Sequence, residues 1–263
     1  MIARRALLAA PLLLAAKPAP PQMAGAAPPQ AAGAAPPQAA RPIARADAWW
    51  QARHRAKLAE LRAARPELIW LGDSITQNFE RDGPEPWARF QPVWQRFYAP
   101  LRAVNLGFKG DATCHLLWRI ENGELAGITP KVAIILIGAN NLGRLHYRAE
   151  DSITGVAAVV AETRRRLPGA RILLLSVLPS DRSDWASRTT LAINAGLAAR
   201  FSAGDGVMWQ DVSALFAPGG RLDHALFLDP LLSPPEPSLH PTAAGMERLA
   251  RAIQPNVATL LRG

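Results

Sequence analysis

One serine in this sequence stands where a serine can become a nucleophile: the strand-length run Glu67 to Leu71 leads directly into Gly72-Asp73-Ser74. A hydroxyl at the end of a strand is lifted clear of its sheet. The backbone N–H groups that open the following turn point toward any negative charge developing on an attacked carbonyl. Gly72 permits a tight exit from the strand, and Asp73 can fix the turn by accepting backbone hydrogen bonds. The same tripeptide equally describes the capped start of a helix, so by itself it decides nothing. A base must come from elsewhere, and His240 in Ser238-Leu-His-Pro-Thr242 is the candidate. Pro241 suits the first turn of a helix, Thr242 or Ser238 can cap it, and a histidine at such a loop-to-helix junction is free to reach another element. A neutral imidazole is the natural proton acceptor for a serine near neutral pH.

Two further apolar runs end in Gly107-Phe-Lys-Gly110-Asp and in Gly138-Ala-Asn-Asn141. With these blocks in order the chain resembles the SGNH (GDSL) hydrolase family. That family carries a GDS block on the first strand, a glycine block on the second, a G-x-N block on the third and a histidine block near the C-terminus. The matching positions are Ser74, Gly110, Asn140 and His240. The stretch Asn105 to Leu125, followed by Gly138 to Asn141, looks most like the platelet-activating-factor acetylhydrolase catalytic-subunit branch, and the resemblance spans residues 67–262. It implies hydrolysis of a short-chain ester, with acetyl preferred, through an acyl-Ser74 intermediate. It also implies an oxyanion hole made by the Ser74 and Gly110 amides and the Asn140 side chain. Such a hole suits the chemistry, because fixed donors meet the charge of a tetrahedral intermediate without reorganising. No metal or other cofactor is expected: His54, His146 and His224 have no ligand spacing. Cys114 and His115 are adjacent on a predicted helix and therefore do not face each other.

The chain departs from the family at one position. The resemblance calls for an aspartate three residues before His240, and Pro237 stands there, with no side-chain acceptor. Three possibilities stay open: a replacement carboxylate, with Glu236 the nearest and Asp229 and Asp223 further back; a Ser-His dyad whose ring is oriented by a backbone carbonyl; or a protein that keeps the fold without turnover, as a carbohydrate-binding or scaffold module. A lysophospholipase or thioesterase using the same site is a further alternative.

The elements that must hold these residues follow from alternation. Apolar runs at 67–71, 103–106, 132–137, 172–178 and 207–210 are strand-length, and helical patterns at 113–125, 151–167, 189–201 and 242–261 separate them. A helix over Ala48 to Arg65 precedes the first run and stops before Pro66. Strands interleaved with helices predict an α/β fold: one three-layer α/β/α domain with a mostly parallel five-stranded sheet of the flavodoxin-like SGNH type, with reactive groups at the carboxyl ends of the strands. The tryptophans at 49, 50, 87 and 94 are assigned to core and helix packing rather than to a sugar site.

Ahead of this domain, Arg4 and Arg5 precede the apolar run Ala6 to Ala16, the pattern of a secretory signal peptide over residues 1–17. Residues 18–45 repeat Pro-Pro-Gln-Ala motifs and predict a disordered spacer, leaving 46–263 as the hydrolase domain. A secreted or periplasmic protein is expected. The net charge of +9 is concentrated in this leader: residues 1–45 hold five basic and no acidic residues, so the remainder carries 25 basic against 21 acidic. That distribution argues against a nucleic-acid partner, while the ester substrate is what the family resemblance implies.

Overall fold

Five short strands and nine helices alternate through the residues described by the computed structural model, 35–201 and 206–262. In chain order they are α1 (Ala48–Ala64), β1 (Leu68–Gly72), α2 (Ser74–Gln77), α3 (Phe90–Phe97), β2 (Ala103–Gly107), α4 (Thr113–Arg119), β3 (Val132–Leu136), α5 (Ala139–Gly143), α6 (Ala149–Arg166), β4 (Arg171–Leu175), α7 (Asp184–Phe201), β5 (Val207–Gln210), α8 (Ser213–Phe216) and α9 (Ala243–Arg262). The strands form one sheet in the order β2-β1-β3-β4-β5, and every pairing is parallel. Each residue of β1 and β3 is buried, as unbroken apolar runs such as Val-Ala-Ile-Ile-Leu require when helices cover both faces. Helix α9 packs over β3 and β4 and against α3, while α4, α6 and α7 pack in sequence. Because the chain lays β2 on one side of β1 and β3 on the other, the winding reverses at β1. The carboxyl end of that strand is therefore the expected crevice for a ligand, and Ser74 begins there.

The strands agree with the sequence expectations to within a few residues, and the helices differ in instructive ways. The helix expected over 113–125 is regular only to Arg119; beyond it Ile120–Glu124 widens into an irregular turn, with Gly123 at φ +96°. Helix α7 begins at Asp184, before the expected Thr189. Helix α3 is an addition. Pro92 would break a helix interior, but it lies in the first turn of α3, where its missing N–H costs no hydrogen bond.

The expected spacer 18–45 is corrected at its C-terminal end. Gln38–Ala40 forms a 3-10 turn with Ala39 fully buried. The Ala39 carbonyl accepts from Thr113 Oγ1 at 2.7 Å, and the Ile43 amide donates to the Cys114 carbonyl at 3.0 Å. Gly155 on α6 makes the approach possible, since a Cβ there would lie 2.6 Å from the Ala39 carbonyl oxygen. The folded unit thus begins at Pro36 instead of Ala46. Small side chains argued for disorder because they bury little area, yet here backbone hydrogen bonds and close backbone approach supply the attachment. The expected signal peptide and the spacer up to residue 34 lie outside the described residues. Among the described residues, no helix is long and apolar enough to cross a membrane.

If residues 36–45 are part of the fold, then Ala39→Leu forces a larger side chain into a filled site. It should cost about 1–3 kcal/mol of stability in urea denaturation. A silent substitution would return the segment to the spacer.

Candidate active site

Ser74 is the first residue of α2, and the tightness of the surrounding turns explains its position. Gly72 ends β1 where a Cβ would collide with Thr76 Oγ1 at 2.1 Å, and Gly107 ends β2 where a Cβ would meet the Gln77 amide at 2.2 Å. The two glycines let α2 fold down onto the strand ends. Asn105 then pins it, its side-chain amide donating to the Thr76 carbonyl at 2.7 Å while its oxygen accepts from the Gly107 amide at 2.8 Å. Asp73 caps α2 by accepting from the Ile75 amide at 2.9 Å. As the opening amide of a helix, the Ser74 N–H has no intrahelical acceptor.

Ser74 Oγ lies 3.0 Å from His240 Nε2, although the two residues are 166 positions apart. On the far side of the ring, His240 Nδ1 lies 2.6 Å from Asp229 Oδ1. A carboxylate at Nδ1 holds the proton on that nitrogen and leaves Nε2 free to accept from the serine hydroxyl. The second carboxylate oxygen, Oδ2, accepts from the backbone amides of Leu239 at 2.7 Å and His240 at 2.5 Å. Glu236, the residue nearest the family position, is exposed, and its backbone amide instead donates to the Asp229 carbonyl at 3.0 Å. The expected role of Glu236 is thereby corrected: the carboxylate on His240 belongs to Asp229.

The physical reason is a closed loop. Phe227 and Pro241 form an antiparallel bridge, and the Leu228 amide donates to the His240 carbonyl at 2.9 Å. This pairing carries Asp229 across from Leu239, beside the histidine it serves. Ser238, buried under the loop, accepts no such role, but its carbonyl receives the Asp181 amide at 3.3 Å and ties the loop to the segment after β4.

Gly110 and Asn140 come to the same strand ends. Gly110 adopts φ +79°, a left-handed conformation that favours glycine. The Asn140 side-chain nitrogen donates to the Asp111 carbonyl at 3.0 Å and reaches Asp73 Oδ2 at a long 3.4 Å, so one of its two hydrogens is only loosely engaged. The Asp111 carboxylate is anchored below, accepting from Trp50 Nε1 at 2.7 Å and from Arg119 Nε at 2.8 Å. Arg119 also pairs with Glu124, donates to the Gly72 carbonyl at 3.3 Å, and lies over the Phe108 ring at 3.9 Å. All three charged side chains are fully buried. This network joins the end of β1 to the Gly110 turn.

Two aspartates at the site are displaced in opposite directions. Burial raises the Asp73 carboxyl to about 6, against the opposing pull of the Ile75 amide and of His240. Burial would also raise Asp229, but hydrogen bonds from the His240 ring, with its charge and the two loop amides, outweigh it and hold the group below its ordinary value. Asp229 is accordingly the ionised partner of the imidazole at neutral pH.

Of the four tryptophans assigned to packing, Trp50 is fully buried and Trp94 packs on Phe79 and Tyr98. Trp87 instead stands edge-on to the His240 ring at 6.3 Å with Arg81 stacked on it, and Trp49 is exposed. His115 turns its Nδ1 back to accept from the Ala112 amide, away from a role with Cys114. A groove of about 700 Å³ between α3 and α9 is lined by Pro86, Val93, Leu231 and Ala244 and includes none of Ser74, Asn140 and His240. Sequence reasoning missed Asp111, Arg119 and Glu124 as a unit. No sequence signal singles them out, since His115, Glu121 and Asn122 share the same helical pattern with Arg119 and Glu124.

The displaced acidity of Asp73 has a measurable consequence. Below the ordinary value of 3.8 both folded and unfolded chains hold this proton; between 3.8 and about 6 only the folded chain does. This group's contribution to stability therefore falls as pH rises through that window and levels off above it. Asp73→Asn keeps the cap and removes the charge, so the stability of wild type relative to this variant should decline between pH 4 and 6. A constant difference would mean that Asp73 titrates normally.

Residues 70–248 match the model of the GDSL-like lipase/acylhydrolase family. The bovine platelet-activating factor acetylhydrolase IB subunit alpha1 is 35% identical over 133 residues, which are 51% of this chain and 52% of that protein. The chain thus spans about half the length of the curated relatives it matches. Among solved structures, a GDSL-like lipase from Bacteroides thetaiotaomicron superposes with a TM-score of 0.59 at 16% identity, covering 79% of this chain and 97% of the other. A catalytic mutant of an acetylxylan esterase from Geobacillus stearothermophilus does so with a TM-score of 0.53 at 21% identity, covering 75% and 94%. These likenesses support the fold, and the matched family model covers most of the sequence. The chain belongs to the GDSL-like lipase/acylhydrolase family.

Proposed function

We propose that the protein hydrolyses short-chain esters, acetyl esters foremost, on an extracytoplasmic carbohydrate, lipid or small molecule. The observation that carries this reading is the unbroken chain Ser74 Oγ, His240, Asp229, with contacts of 3.0 and 2.6 Å. It supports turnover over a non-catalytic module, the alternative that rested on the missing acid at position 237.

In this mechanism Ser74 Oγ attacks the acyl carbonyl carbon while His240 Nε2 takes the hydroxyl proton. The carbonyl oxygen becomes an oxyanion and turns toward the Ser74 amide, the Gly110 amide and the loosely held hydrogen of Asn140. Asp229, ionised, stabilises the imidazolium and keeps its tautomer. Collapse of the tetrahedral species breaks the ester C–O bond, and the imidazolium returns its proton to the leaving alcohol. Water, deprotonated by the same Nε2, then attacks the acyl-Ser74 carbonyl and releases the carboxylic acid, regenerating the serine.

The acetyl preference is supported by the names of the bovine acetylhydrolase subunit and the bacterial acetylxylan esterase. The extracytoplasmic location is supported by the sequence pattern of residues 1–17. Ser74→Ala should abolish hydrolysis of p-nitrophenyl acetate with little change in melting temperature. Asn140→Ala should lower kcat by about 10² to 10³ with a smaller effect on KM, as for a donor used chiefly in the transition state. Asp229→Asn should lower kcat by about 10⁴ by favouring the wrong tautomer, whereas Glu236→Gln should be nearly silent. Full activity in Ser74→Ala would overturn the reading, and a severe loss in Glu236→Gln would reverse the assignment of the acid.

A further inference from the structure

Two glycines beside the crevice seat guanidinium groups that the mechanism above does not use. A Cβ placed on Gly110 would lie 2.9 Å from Arg144 Nη1 and 3.0 Å from Arg45 Nη1. A Cβ on Gly143 would overlap Arg182 Nη1 at 1.5 Å. Arg182 Nη2 donates to the Ala139 carbonyl at 2.8 Å, immediately before Asn140, while its Nε is buried with no hydrogen-bond partner. Arg144 is exposed, and neither it nor Arg182 has a carboxylate within ion-pair distance among the described residues. Arg45 is different, since it already pairs with Asp47 and reaches Asp111.

The acids nearest Arg182, Asp73 and Asp229, offset part of the burial that lowers its guanidinium, but neither reaches ion-pair distance among the described residues, and Asp229 is committed to His240 and to two loop amides. The local field has an independent witness in His115. Burial first, then Arg45, Arg144 and Arg119, push its ring down to about 4. Cationic groups gathered around the oxyanion side of a shallow crevice, with donors left unpaired, are built to receive oxygen anions.

We infer that Arg144 and Arg182 form an anion-binding rim beside the acyl site, so that the preferred ester carries a carboxylate or phosphate group near the scissile bond. This rests on the hydrolase reading above and narrows its substrate class. Arginine suits the task because its planar fork can meet two oxygens of one anion. A neutral acetate would fill the oxyanion hole equally well but leave these donors facing water.

The test compares a mono-acetylated methyl glucoside with its acetylated uronate and acetylated sugar phosphate counterparts. The charged acetates should show KM values lower by about tenfold or more, the scale of one charge-assisted hydrogen bond. That gap should narrow in about 0.5 M salt, where charge interactions are screened. Which charged acetate shows the larger gap distinguishes carboxylate from phosphate. Arg144→Gln and Arg182→Gln should collapse the charged-to-neutral KM ratio toward unity, and Gly143→Ala should do the same by evicting Arg182. If Arg182 merely braces α5, its loss would instead lower kcat on all three esters with the ratio intact. Equal KM values in wild type, or ratios that survive in the variants, overturn the inference. A second readout is independent of turnover: the Ser74→Ala protein, titrated calorimetrically with inorganic phosphate and with glucuronate, should bind one of them and lose it on adding Arg144→Gln. No binding of either anion defeats the rim, whereas failure of every ester to react, with anion binding present, defeats only the hydrolase reading.

Discussion

The carboxylate of Asp229 is the contact on which the geometry of the site depends. One oxygen orients the His240 ring and the other gathers the amides of Leu239 and His240, so a single side chain fixes both the imidazole and the loop that carries it. A half-exposed loop without regular structure would otherwise hold a histidine only as firmly as its own backbone allows. Its hydrogen bonds also explain why this aspartate stays charged although burial opposes the charge. Asp73, buried immediately before the serine with one firm backbone donor, lacks that support and is displaced the other way. Two carboxyl groups of one type are thus displaced in opposite directions by the balance of burial against hydrogen bonding.

The oxyanion side is held by a different device. Arg119 sits between Asp111 and Glu124 in the core, each fully buried, and desolvation of such a cluster carries a large cost. What the cluster achieves is placement. The Asp111 carboxylate is fixed from below, its own carbonyl then fixes the Asn140 side chain, and Arg119 touches the carbonyl that ends β1. Donors set in advance by a rigid charged network need not reorganise when an oxyanion forms, and that is where such donors act most strongly. Removing Arg119 would strip the buried Glu124 of its ion-pair partner and leave Asp111 with only the longer Arg45 ion pair at 3.4 Å, so the network depends on this one guanidinium.

Several close approaches in the fold depend on missing Cβ atoms. Gly72 and Gly107 let the nucleophile turn pack on the sheet, Gly155 admits the Ala39 carbonyl, and Gly110 and Gly143 leave room for guanidinium groups. These contacts join elements distant in sequence. The stretch 36–45 is attached in the same way, by backbone approach more than by buried side-chain area.

The periodicity of the chain determined the sheet, because parallel strands covered on both faces must be unbroken apolar runs and the helices between them must be amphipathic. The matched blocks likewise named Ser74, Gly110, Asn140 and His240, since each lies at a strand end or a helix start, where local sequence dictates local structure. Only the tertiary structure decided the acid. Asp229 is eleven residues from His240, across an irregular loop whose ends are joined by the Phe227–Pro241 bridge. No local spacing rule reports such a closure, and position 237, where the family pattern directs attention, holds a proline. Long-range contacts likewise decided the burial of Arg119, the seats of Arg144 and Arg182 and the docking of Ala39. Side-chain type states what a residue can do, but its partners are set by the chain crossings that the fold imposes.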